Sequence, residues 1–177
     1  MKRLACMDGL AGEIRAKADD VLKSRIAPKV AAWERTIAKS PVDDSRTVQL
    51  SVAAREPFAD RFGRPHTARL WLRCVENTTA LILDFADTFM ADTGSFGVVT
   101  IRLDKGKAFE KRMTESTDHN ALGLWNGGSA IPLIKSMFGK DAMLVRATPY
   151  SESPITVEFP VSGLEEAIGP LREACGW

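Results

Sequence analysis

From residue 47 onward, apolar and polar positions alternate in short runs. Over 47–53, Val48, Leu50 and Val52 face one way and Gln49 and Ser51 the other. Over 67–74, Ala68, Leu70, Leu72 and Cys74 oppose a face that carries Arg69, Trp71 and Arg73; over 79–85, Leu81, Leu83 and Phe85 fall together. Period-two alternation of this length is the mark of a half-buried strand. Further runs at 98–103, 108–113, 121–125, 143–148 and 155–161 read the same way. The links Glu76-Asn77-Thr78 and Asp104-Lys105-Gly106-Lys107 have hairpin-turn chemistry. Most connections are too short to hold a crossover helix, so a parallel sheet is excluded and an antiparallel β-sandwich is expected.

Helical spacing interrupts this pattern in three places. Leu4, Met7, Ala11, Ile14, Ala18 and Val21 predict an N-terminal helical segment over 1–29, weakened by Gly9 and Gly12, ahead of a β-sandwich domain over 30–177. Ile131, Leu133, Ile134, Met137 and Phe138 predict a second helix, with Ser129 as its cap and Gly139 just past its end. A third is predicted from the capping box Ser162-Gly163-Leu164-Glu165, with a kink or restart at Pro170. Between Trp33 and the strands lies the turn cluster Ser40-Pro41-Val42-Asp43-Asp44-Ser45.

Composition narrows the function classes. Of 177 residues, 45% are hydrophobic and 27% charged, with a formal net charge of +1. Such a chain can bury about 70% of its unfolded surface in one core. Near-neutral charge gives no electrostatic footprint for nucleic acid, and no apolar run reaches the ~20 residues of a membrane-spanning helix.

Several phrases are distinctive: Ser40-Pro41-Val42-Asp43-Asp44-Ser45, Glu76-Asn77-Thr78-Thr79-Ala80-Leu81, Glu115-Ser116-Thr117-Asp118 and Gly123-Leu124-Trp125. Pro149-Tyr150-Ser151-Glu152-Ser153-Pro154 and the terminal Pro170-Leu171-Arg172-Glu173-Ala174-Cys175-Gly176-Trp177 join them. From about Trp33 to the end, the chain resembles the VasI/TagO family associated with bacterial type VI secretion. The resemblance implies a non-enzymatic accessory protein of a secretion apparatus, with protein partners and a periplasmic location. Arg3-Leu4-Ala5-Cys6-Met7-Asp8 is similar to a phrase that follows a cleaved signal peptide in envelope proteins. No signal peptide precedes it here, so a cytoplasmic location is the alternative. With the resemblance comes an expected disulfide between Cys74 and Cys175, tying the last helix to the sheet; two buried thiols are the alternative. Cys6 is then the odd cysteine, and with no apolar stretch before it, Leu4-Ala5-Cys6 is not a lipidation site.

The remaining chemistry is sparse. Ser116-Thr117-Asp118-His119 has the residue types of a hydrolytic triad, but adjacent Asp118 and His119 point apart on most backbones and no strained nucleophile elbow accompanies them. His66 and His119 have no close ligand partners, and Asp84, Asp87, Asp92 and Asp104 lack calcium-loop spacing, so no metal and no cofactor is expected. Asn126-Gly127-Gly128-Ser129 reads as a turn and helix cap rather than a phosphate loop. The candidate contact residues are Trp71, Arg69 and Arg73 on one strand face, with Asp118, His119 and Trp125. Two rival readings are an envelope hydrolase or toxin-like effector using Asp118 and His119, and a carbohydrate- or peptidoglycan-binding sandwich stacking sugars on Trp71 or Trp125.

Overall fold

The computed structural model describes residues 31–41 and 44–177. The expected N-terminal helix over 1–29, Cys6, and Val42 and Asp43 of the turn cluster lie outside the described residues.

The strands expected by alternation are present. In chain order they are β1 (Glu34–Lys39), β2 (Arg46–Ala53), β3 (Phe58–Ala59), β4 (Pro65–His66), β5 (Arg69–Val75), β6 (Thr78–Asp84), β7 (Val98–Leu103), β8 (Phe109–Arg112), β9 (Thr114–Glu115), β10 (Ala121–Leu124), β11 (Ala142–Ala147) and β12 (Ile155–Pro160). They form a six-stranded sheet ordered β1-β2-β5-β6-β10-β9, a four-stranded sheet ordered β12-β11-β7-β8, and the small β3-β4 pair. Every pairing is antiparallel. Glu76 and Asn77 both take positive φ, 48° and 58°, which is the twist a two-residue hairpin between β5 and β6 requires.

The inward faces of both sheets meet in one core. Val48, Leu50 and Val52 of β2, Leu70 and Leu72 of β5, and Leu81 and Leu83 of β6 join Val99, Ile101, Val145, Val157 and Phe159 of the smaller sheet. Helix α1 (Gly127–Ser136) packs on β6 and β10, burying Ala130, Leu133 and Ile134. Helices α2 (Leu164–Ala167) and α3 (Gly169–Cys175) follow β12, and α3 lies on β2 and β5. Cys74 of β5 and Cys175 of α3 are joined in a disulfide, Cα atoms 5.8 Å apart and 101 residues apart in sequence. The terminal helix is thereby stapled to the middle of the larger sheet.

The caps differ from the sequence reading. Asn126 caps α1: its side chain accepts from the Ser129 N–H, because the helix starts three residues earlier than a Ser129 cap implies, at Gly127. The Ser162–Glu165 capping box does not form. Gly163, with φ 73°, is the N-cap of α2 and no side chain caps it, while the Ser162 hydroxyl accepts from the Ala31 N–H instead. Of the kink or restart expected at Pro170, the restart forms: Pro170 sits in the first turn of α3, where its missing N–H has no partner to lose.

Candidate functional site

The cross-strand register assembles a surface that no single segment contains. On the outer face of the larger sheet, Ser51, Trp71, Ile82 and Gly123 are successive partners across β2, β5, β6 and β10. Gln49, Arg73 and Ala80 form the next row, and Arg69, Asp84 and Ala121 the row on the other side. α1 and α3 lie on the opposite, core-facing side, where their buried residues belong to the core between the sheets. Ala80, Ile82 and Ala121 instead form a separate apolar floor, with Trp71 and Trp125 packed against it.

A groove of about 580 Å³ runs over this floor, lined by Trp71 and Trp125 and rimmed by Gln49, Arg73, Asp84 and Asp118. Both indoles are fixed. The Trp71 Nε1–H donates to Asp84 Oδ2 at 3.3 Å, and the Trp125 Nε1–H donates to the Thr114 carbonyl at 3.0 Å. The Trp125 ring folds back over Gly123, where a Cβ would come within 2.6 Å of it. Glycine is required here for space and not for its backbone freedom.

The charged groups differ in how far they are already engaged. The Arg69 guanidinium is tied down by Glu34, at 2.8 Å, and by Ser51, at 3.2 Å, with its carbon 5.9 Å from the Trp71 ring centroid. The same guanidinium holds the Glu34 carboxyl below its usual range. Arg73 lies 5.4 Å from the Trp125 centroid, and among the described residues it has no carboxylate within ion-pair distance. Asp118 is held below the usual carboxylate range by the Ser116 hydroxyl beside it, against the upward push of burial. It stays ionised, an acceptor, at any ordinary pH.

Of the residues singled out in the sequence, Trp71, Arg73, Asp118 and Trp125 therefore converge on the groove, and Arg69 braces its wall. His119 goes elsewhere. Its backbone is left-handed, φ 56°, its ring stacks on Phe89 at 5.2 Å, and its Nδ1 lies 3.1 Å from Glu115 Oε2. The Ser116-Thr117-Asp118-His119 phrase thus sends its acid and its imidazole to different surroundings. Among the described residues, no cluster of three His, Cys, Asp or Glu side chains is placed to hold a metal ion. Gln49, Ala80, Ile82, Asp84 and Ala121 were not anticipated as site residues. Their only signal was their place on the strand faces opposite the core residues.

A second polar cluster sits at the β3-β4 turn. Asp60 accepts from the main-chain N–H groups of Phe62 and Arg64, from Arg64 Nε at 2.8 Å, and lies 3.2 Å from His66 Nε2. Burial alone would raise its pKa, but these hydrogen bonds together outweigh it and hold the carboxyl far below the usual range.

These features define a disulfide-clamped, mainly antiparallel β-sandwich with an aromatic groove on one open sheet face. The family model described as type VI secretion system VasI, EvfG, VC_A0118 matches residues 1–177, and the chain belongs to this family. It is a type VI secretion-associated protein. In fold it is similar to the crystal structure of invasion associated protein B from Bartonella henselae, with a TM-score of 0.52 at 10% identity, covering 84% of this chain and 97% of that one. No curated protein matches the sequence.

Proposed function

We propose that this VasI-family protein is a non-catalytic accessory of the type VI apparatus. It acts in the periplasm by surface contact, and its contact surface is the outer face of the six-stranded sheet. The observation that carries this reading is the groove between Trp71 and Trp125 on a sheet whose other face is filled by the core. A surface that recognises a partner needs large, rigid anchors with few rotatable bonds, and two hydrogen-bonded indoles meet that need. The Cys74–Cys175 disulfide supports an oxidising compartment such as the periplasm, since such bonds are kept reduced in most cytosols. No described helix is long and apolar enough to cross a membrane.

Complementation tests this directly. In a strain lacking the protein, Trp71→Ala and Trp125→Ala variants are expected to accumulate at normal level in the periplasmic fraction. They should nevertheless fail to restore release of a type VI substrate into the medium. Full restoration by both variants would show that the outer face is not the contact surface.

A further inference from the structure

We infer that the groove between Trp71 and Trp125 is a sugar-binding site, and that its ligand is the neutral glycan backbone of the cell wall. This rests on the outer face being the contact surface and names what that face holds.

The argument is one of complementarity. A pyranose ring presents apolar C–H faces and a rim of hydroxyls, each of which both donates and accepts. The groove has the matching halves. Its floor and walls are the apolar Ile82 and Ala121 with the carbon frames of two indoles, whose only polar atoms are already spent on Asp84 and Thr114. Its rim mixes Arg73, a donor with no ion-pair carboxylate among the described residues, with an acceptor held ionised, Asp118, and with the Gln49 amide, which does both. At about 580 Å³ it falls within the roughly 300–1,000 Å³ of small-ligand pockets.

A peptide occupant fits less well. Extended peptides add to an open strand edge, where main-chain N–H and C=O groups are free. This groove instead lies mainly over β2, β5, β6 and β10, where those groups are paired within the sheet, and meets the two-residue edge strand β9 only at Glu115. A strongly anionic ligand would meet Asp84, Glu115 and Asp118, and a strongly cationic one would meet Arg73 on the same rim. A periplasmic protein meets an uncharged, hydroxyl-rich polymer in the cell-wall strand.

The test uses the full chain with its disulfide intact and a β-1,4-linked N-acetylglucosamine tetramer as probe. Binding is followed by tryptophan fluorescence and by amide NMR shifts, and isolated sacculi and lipopolysaccharide are compared in co-sedimentation. Saturable binding is expected, with shifts centred on Arg73, Ile82 and Gly123 and with sacculi but not lipopolysaccharide sedimenting the protein. Trp125→Ala should weaken binding about tenfold or more, given the area an indole contributes. Trp71→Phe, which keeps an aromatic face, should weaken it less, and Phe89→Ala, outside the groove, should leave it unchanged.

No saturable response to the tetramer and no retention on sacculi would overturn the ligand class. Binding undiminished in a folded Trp125→Ala protein would overturn the site. A Trp125→Ala variant that fails in secretion while the wild-type protein binds no sugar would sink the glycan assignment alone, leaving a protein as occupant. Loss of sugar binding with secretion intact would do the reverse.

Discussion

Gly123 shows how a single position shapes the groove. Its missing side chain is the space into which the Trp125 indole folds, and a Cβ would meet two ring carbons at 2.6 and 2.7 Å. Gly123→Ala is therefore expected to push the indole off the sheet and to cost about 1–3 kcal/mol as an overpacked site. Urea unfolding measures the cost, and the Trp125 side-chain NMR signal reports the displacement. Asp60 governs a different property. Its folded pKa lies far below the ordinary 3.8, so the native state favours its ionised form. The stability it contributes is fully present above 3.8 and is lost as pH falls from there toward the folded value. Between about pH 4 and pH 2 the melting temperature of the wild-type protein should fall more steeply than that of Asp60→Asn. Parallel curves would assign acid sensitivity to other carboxylates.

At the scale of elements, α1 and α3 test two kinds of anchorage. α1 depends on a local cap, and Asn126→Ala should cost about 1 kcal/mol, read from the urea midpoint. α3 depends on covalent and tertiary ties. Its disulfide closes a loop of about a hundred residues, for which the chain-entropy model gives ~4–5 kcal/mol, and the paired substitution Cys74→Ser with Cys175→Ser should cost about 2–5 kcal/mol. Reduction of the wild-type protein should reproduce the same loss. Beside the disulfide, the Trp177 Nε1–H donates to the buried Thr79 hydroxyl at 2.9 Å, and Lys135 of α1 and Arg172 of α3 both lie 5.4 Å from the Trp177 ring centroid. One terminal indole thus joins β6, α1 and α3.

Over the whole molecule, the four tryptophans divide by role. Trp33 and Trp177 fasten the two ends of the described fold, Trp33 through its indole N–H to the Ser162 carbonyl. Trp71 and Trp125 remain for the groove. The core face of the larger sheet carries most of the stability and the outer face the recognition, so truncating Trp125 should cost less unfolding free energy than truncating Trp177 while changing binding more. Trp125→Ala and Trp177→Ala make the comparison: urea unfolding should register mainly the second, and oligosaccharide titration mainly the first.

The strands that were legible in the sequence are those with one buried face, because alternation is a local property. β2, β5 and β6 were read within a residue or two of their ends. β1 was missed because all six of its residues are exposed and so carry no alternation. β3, β4 and β9 are two-residue strands, too short for any period. The disulfide pairing followed from family likeness, since nothing local links positions 101 residues apart.

The sequence by itself determined which side chains point outward from each strand, and so that Arg69, Trp71 and Arg73 share a face. Only the tertiary structure decided what lies beside them. The groove needs β2, β5, β6 and β10 in one register, and a slip of one residue in any of them would turn its contributors into the core. That register is set by hairpin turns and by inward-facing side chains packing against the second sheet and the stapled helix, and those contacts exist only once the chain has folded.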